Sequence, residues 1–254
     1  MKVAKYSANG NDFVLFTSDR KEDRTELAKT LCHRHNGIGA DGLIVVVPHE
    51  QYDFEWQFYN ADGSHADMCG NGSRACAHYA YTHKLAPQEM QFLTGAGVIN
   101  ARVEEGDKKS AMVLSELTPP EIIDTSIEYN GKSWWLINTG VPHLVRFTDN
   151  IEEFSVEEAR ELRYKYNANV NNMALVGENL RVRTYERGVE DETLACGTGM
   201  AACFYRAFQE KRVSEHIEVY PTSGETLYLG VNERTITFMG EVVNTFNTEW
   251  EAQA

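Results

Sequence analysis

Short runs in which apolar side chains alternate with polar ones, or stand together between glycine, proline and asparagine, dominate this chain. Their period and flanking turn residues predict strands at 1–6, 12–17, 43–47, 53–59, 89–94, 98–103 and 111–115. A second set follows at 133–138, 143–147, 173–177, 180–186, 216–220, 225–231 and 235–239. Helical spacing or strong helix formers occupy only 22–34, 70–84, 152–166 and 197–211. Gly106-Asp107-Lys108-Lys109-Ser110 reads as a hairpin turn, and Thr118-Pro119-Pro120 as the crossing between two halves. Each half is mostly strand, with one helix following a Cys-Gly pair.

Those two pairs belong to a repeat. Cys69-Gly70-Asn71-Gly72, with Ala75-Cys76 and Ala80, returns as Cys196-Gly197-Thr198-Gly199, with Ala202-Cys203 and Ala207. The offset is 196 − 69 = 127 residues, and 203 − 76 gives 127 again, half of the 254-residue chain. Gly97 and Gly224 keep that offset, while Gln57-Phe58-Tyr59-Asn60 matches Arg183-Thr184-Tyr185-Glu186 at 126. Further upstream, Gly10-Asn11-Asp12-Phe13-Val14-Leu15 resembles Gly140-Val141-Pro142-His143-Leu144-Val145. The expected fold is therefore α/β (α+β), with one repeat half over residues 1–117 and the other over 118–241. The tail, 242–254, is read as a strand returning to the first half. Trp134-Trp135 reads as packing at the junction of the repeats.

A formal charge of −14 argues against a broad nucleic-acid or anionic-membrane surface, so a small-molecule partner is expected. No apolar run approaches the roughly 20 residues that span a bilayer. Five cysteines do not make a disulfide framework, and no apolar signal segment opens the sequence, which places the expected location in the cytoplasm. A zinc site is not expected, because no C-x-x-C occurs. Cys32, Cys76 and Cys203 read as packing residues.

Cys69 and Cys196 stand differently, each just before a glycine-containing stretch that opens a helix. Unsatisfied backbone N–H groups and the positive end of the helix dipole favour negative charge there, so a thiol ionises more readily. The same N–H groups can hold a carboxylate, and glycine lets a ligand approach the backbone. That pairing suits removal of the weakly acidic α-proton of an amino acid: fixed donors stabilise the carbanion-like state while a base acts on one face. An acid on the other face would return a proton and invert the centre. Two thiols facing one cleft could instead form a redox-switched disulfide, a reading from a different class.

Several segments resemble, in order and spacing, the signatures of the diaminopimelate epimerase family over nearly the whole chain. They are Gly10-Asn11-Asp12-Phe13-Val14, Gly37-Ile38-Gly39-Ala40-Asp41-Gly42, Phe58-Tyr59-Asn60-Ala61-Asp62-Gly63-Ser64 and Met68-Cys69-Gly70-Asn71-Gly72. Ala168-Asn169-Val170-Asn171 and Tyr185-Glu186-Arg187-Gly188, leading into Glu192-Thr193-Leu194-Ala195-Cys196-Gly197-Thr198-Gly199, complete the set. The resemblance implies interconversion of LL- and meso-diaminopimelate without cofactor or metal, on a path to lysine and peptidoglycan. It also implies two pseudo-symmetric halves, each a mixed, mostly antiparallel sheet wrapped around a central helix, with the active site in the cleft between them, and a homodimer. Cys69 and Cys196 would be the acid/base pair. Backbone groups of Gly70, Asn71, Gly197 and Thr198 would hold the reacting carboxylate, and Asn11, Asn60, Asn169 and Arg187 the substrate's other polar groups. His143 and Glu186 would sit beside the thiols and help set their protonation.

One position departs from the family pattern. Where Gly-Asn-Pro-His is usual, this chain has Gly140-Val141-Pro142-His143, and Val141 cannot donate the amide hydrogen bond expected toward substrate. Asn138 or a water is a candidate substitute. The rival within the fold, a proline racemase-like enzyme, typically carries histidine where Asn71 stands here and lacks the substrate-binding asparagines and the Tyr-Glu-Arg-Gly phrase.

Overall fold

The computed structural model describes residues 1–232 and 235–251. Two compact units result: Met1–Ser115 with Gly240–Ala254, and Glu116–Met239. In the first, the chain runs β1 (Lys2–Ala8), β2 (Asn11–Thr17), α1 (Thr25–Cys32), β3 (Gly42–Val47), β4 (Phe54–Asn60), α2 (Gly70–Thr82), β5 (Glu89–Thr94), β6 (Gly97–Gly106) and β7 (Ser110–Glu116). The second holds β8 (Glu121–Tyr129), β9 (Lys132–Asn138), β10 (Pro142–Phe147), α3 (Val156–Tyr166), β11 (Asn169–Val176), β12 (Asn179–Glu186), β13 (Asp191–Thr193), α4 (Gly197–Gln209), β14 (His216–Tyr220) and β15 (Leu227–Asn232). A long last strand, β16 (Thr235–Glu249), begins in the second unit and ends in the first.

Both units repeat one internal topology. In the first, β1 and β2 pair antiparallel, β2 and β3 parallel, β3 and β4 antiparallel, and β4 and β5 parallel. In the second, the same senses join β9 to β10, β10 to β11, β11 to β12, and β12 to β14. Antiparallel meanders follow in each, β5–β6–β7 and β14–β15–β16. The parallel steps are those that enclose a helix, as a crossover between parallel strands requires. Strand β16 pairs antiparallel with β1, from Lys2 opposite Glu249 to Ser7 opposite Val243.

In each unit the helix after the Cys-Gly pair is the core element. Every residue of α2 from Gly70 to Ala80 is buried, and Ala75, Cys76, Ala77 and Ala80 pack with Phe54, Trp56, Phe92 and Val113 of the surrounding strands. Small side chains bring the helix close to the sheet. At Gly199 in α4 an added Cβ would fall 2.3 Å from Asn171 Oδ1, so no larger residue fits unless something moves. The β1–β2 hairpin turns on two residues, Asn9 (φ 47°) and Gly10 (φ 88°), the left-handed pair that a tight hairpin needs.

The helices begin and end where local chemistry dictates. Helix α1 starts at Thr25, later than the pattern predicts, because Glu22 and Arg24 give their backbone to the side chains of Gln57 and Tyr59 on β4. In α3, Ser155 accepts from Glu158 N at 3.2 Å and caps the helix, leaving 152–155 outside it, and Asn167 ends it at φ 50°. The sequence pattern does not predict β8: it is an edge strand with irregular register against β9 and only Ile127 buried, so it lacks the alternation that marks a strand. Strand β11 begins at Asn169, four residues before the predicted start, and three of the four added residues are asparagines, which strands disfavour. The short β13 carries no apolar pattern either.

Trp134 is 1% exposed within the second unit's own core, beside Leu144, Leu162 and Tyr185, with the Arg146 guanidinium 5.2 Å from its ring. Packing is thus its role, inside one repeat rather than at a junction. Trp134→Ala should lower unfolding stability by about 3–5 kcal/mol, read from the urea midpoint.

Candidate active site

Cys69 and Cys196 are the N-cap residues of two 13-residue helices, each in extended backbone geometry (φ −149°, ψ 116° and φ −127°, ψ 106°). Ser73 N donates to Cys69 O at 2.8 Å, and Met200 N to Cys196 O at 2.9 Å, so the first helical turn closes identically 127 residues apart. The amides of Gly70 and Asn71, and of Gly197 and Thr198, fall in the turn whose N–H groups have no partner within the helix. The sulfurs differ in their surroundings. Cys69 Sγ accepts from Gly72 N at 3.4 Å, whereas Cys196 Sγ lies 3.6 Å from Thr198 Oγ1 and makes no cap bond.

Beneath the first turn of α2 lies a fully buried guanidinium. Arg74 donates through Nη1 to Gly70 O at 3.2 Å and through Nη2 to Asn71 Oδ1 at 2.7 Å and to Asn9 Oδ1. Because Asn71 Oδ1 faces that cation, Asn71 Nδ2 points to Asn11 Oδ1, 2.7 Å away. Asn11 Nδ2 then donates to Asp41 Oδ2 at 3.1 Å. The donors run one way, from cation through two amides to carboxylate, and both amide orientations follow from the charged ends. Asn60 is exposed at the end of β4, its Nδ2 on Ser64 Oγ at 3.0 Å. Asp12 anchors the outer end. Arg34 donates to both its oxygens at 2.9 Å, and Lys5 reaches it at 2.7 Å. Partial burial opposes ionisation of Asp12, but those two cations outweigh it and hold the carboxyl down at about 2.

The second unit builds its half from β10, β11 and β12. His143, wholly buried, sits opposite Asn169 in the parallel β10–β11 register, and its Nε2 is 3.0 Å from Thr198 Oγ1. Burial, reinforced by the Arg187 guanidinium, pushes His143 down to about 3, so its ring is neutral. Asn169 Oδ1 accepts from Arg187 N at 2.7 Å, and Arg187 Nη1 donates to Asn167 O at 3.0 Å. Glu186 ends β12, half-buried. His143 is thereby tied to Cys196 through the Thr198 hydroxyl. Val141 turns its carbonyl to Thr139 N at 3.2 Å, and Asn138 Oδ1 accepts from Gly140 N at 3.0 Å, so Asn138 braces this turn.

The other three thiols have another character. Cys32, Cys76 and Cys203 are buried, and burial pushes all three thiols up, Cys32 to about 12. They are packing residues. Among the described residues no His, Cys, Asp or Glu cluster could hold a metal ion, and no helix is long and apolar enough to cross a membrane.

The diaminopimelate epimerase family model matches residues 3–123 and 135–245. A diaminopimelate epimerase of a Nitratiruptor species is 60% identical over 249 residues, covering 98% of each chain. This chain belongs to the diaminopimelate epimerase family. It is an isomerase, an amino-acid epimerase. A second diaminopimelate epimerase, from Helicobacter pylori, is 44% identical over 95% of this chain and 93% of its own. Fold alone is shared with a phenazine biosynthesis protein of the PhzF family from Bacillus anthracis (TM-score 0.73, 17% identity, 99% of both chains). The same holds for a hydroxyproline epimerase from Agrobacterium vitis (TM-score 0.67, 14% identity, 98% and 90%).

This epimerase's sequence does not single out Arg74, nor Thr139, whose hydroxyl donates to Thr198 O at 2.9 Å, nor Asn171, which meets His143 Nδ1 through Nδ2 at 3.1 Å and accepts from the Thr184 hydroxyl at 2.8 Å. Arg74 looks like a helix-surface charge, and only its place two residues after Gly72 hints at burial. Asp41 lies within the family-like segment Gly37-Ile38-Gly39-Ala40-Asp41-Gly42, yet nothing local announces that it orients Asn11.

The Asp12 cluster gives a pH signature. Its folded pKa lies below the unfolded 3.8, so its contribution is full above that value and is lost as pH falls through about 2. Wild type should lose on the order of 1 kcal/mol from this group between pH 5 and roughly 2, after solvent screening. Asp12→Asn should show a correspondingly shallower decline in urea midpoint over that interval.

Proposed function

We propose that this epimerase interconverts LL- and meso-diaminopimelate by a two-base mechanism, without cofactor, with Cys69 and Cys196 as the acid/base pair. The observation that carries the reading is that both cysteines cap helices at equivalent points of a repeated topology, each with two first-turn amides beside it. One thiolate removes the α-proton: the C–H bond breaks and an S–H bond forms, leaving negative charge delocalised into the α-carboxylate. The amides of Gly70 and Asn71, and of Gly197 and Thr198, hold that carboxylate, where fixed donors serve best. The other thiol delivers its proton to the opposite face, so the pair ends with roles exchanged and ready for the reverse reaction.

Asn11, Asn60, Asn169 and Arg187 hold the substrate's remaining amino and carboxylate groups in this reading. The locked amides of Asn11 and Asn169 favour it, because an oriented amide tells a donor from an acceptor. Arg187, half-buried beside Asn169, has the planar donor set that suits a carboxylate. His143 and Glu186 tune the thiols. The enzyme serves lysine and peptidoglycan precursor synthesis, in the cytoplasm and as a homodimer, as the family resemblance implies.

Incubation of LL-diaminopimelate in deuterated buffer under reducing conditions tests the mechanism. Wild type should invert one α-carbon and carry deuterium there, while Cys69→Ala and Cys196→Ala should each lose net inversion by roughly 10²-fold or more. Normal inversion by both variants would falsify the two-thiol scheme. Val141→Asn should leave turnover within about an order of magnitude; a larger gain would assign the native enzyme a different distal group on its substrate.

A further inference from the structure

Asn171, two residues beyond the expected ligand Asn169 on β11, is fully buried and makes three side-chain contacts that together fix its orientation. Its Nδ2 donates to the backbone oxygen of Leu144 at 3.0 Å, and its Oδ1 accepts from Thr184 Oγ1 at 2.8 Å. A carbonyl oxygen can only accept, so the amide nitrogen is identified by its partner. That nitrogen also lies 3.1 Å from His143 Nδ1. Nδ1 must therefore accept, and a neutral imidazole that accepts at Nδ1 carries its single proton on Nε2.

The consequence passes to the sulfur. His143 Nε2–H faces Thr198 Oγ1 at 3.0 Å, so that hydroxyl accepts from the ring and its own hydrogen is left to donate. Cys196 Sγ is 3.6 Å away. Asn169 Nδ2, at 3.5 Å from Nε2, is itself a donor and offers the ring proton no competing acceptor. Gly199 closes the assembly from above, since a Cβ there would collide with Asn171 Oδ1.

We propose that Asn171 is a positioning residue for Cys196: by holding His143 in its Nε2–H form it aims the Thr198 hydroxyl hydrogen at the sulfur and so supports the thiolate. The direction of donation is Asn171 amide to His143, His143 to Thr198, Thr198 to Cys196, ending on an acceptor. This rests on the reading of Cys196 as an acid/base group, but its readouts do not use turnover. Asn171→Asp is the informative change, because a carboxylate at this place accepts from Nδ1–H. It would reverse the ring, and the Thr198 hydroxyl would then donate to Nε2 and leave the sulfur.

Two measurements decide it. In wild-type protein, ¹⁵N spectra of the imidazoles, with His143 assigned by its loss in His143→Gln, should show a proton on Nε2 and a bare Nδ1; a proton on Nδ1 overturns the proposal without any variant at Asn171. In a Cys69→Ser background, iodoacetamide labelling of Cys196 at neutral pH, located by mass spectrometry, should slow about tenfold in Thr198→Val, the lower range for a hydrogen bond to a charged group. Asn171→Asp should slow it similarly, and Thr198→Ser should stay within about twofold of the parent. An unchanged rate in Thr198→Val removes the relay, whatever the epimerase assay shows. If Asn171→Asp does not fold, the wild-type spectrum and the Thr198 pair still decide the matter.

Discussion

A helix buried inside a sheet has one end whose N–H groups must find partners, and everything else in each unit depends on how that end is met. In α2 and α4 the N-cap is a cysteine, followed by first-turn amides that have no partner within the helix. The small residues Gly72, Ala75, Gly199 and Ala202 let each helix sit close against its strands, which anchors those donors.

The two units meet that shared demand with different polar devices. Below Cys69 a buried cation, Arg74, sets the direction of a run of amides that ends at Asp41 and its Arg34 clamp. The position 127 residues on is Ala201, and the second unit instead uses a neutral imidazole held between Asn171 and Thr198. Cys69 is bonded by a backbone amide, and Cys196 faces a side-chain hydroxyl. Equivalent backbone positions therefore present thiols in chemically distinct surroundings.

Much of this was legible without coordinates. The Cys-Gly phrases mark the starts of α2 and α4 to the residue, because an N-cap is a local event and its glycines and alanines are local too. The core strands follow from their alternation. What escaped was the edge: β8 buries one side chain and pairs irregularly, so no period of two survives in its sequence. Helix α1 lost its predicted first turn to Gln57 and Tyr59, partners more than 30 residues away.

The sequence by itself determined the duplication, the placement of a thiol at each helix start and membership of an epimerase family, since each is carried by residue identity at fixed spacing. Only the tertiary structure decided which way the amides of Asn11, Asn71 and Asn171 point, and that Arg74 lies buried rather than in solvent. The reason is physical: a side-chain amide is both donor and acceptor, and its orientation is chosen by groups brought to it from other strands. Spacing along one strand says nothing of what lies across from it.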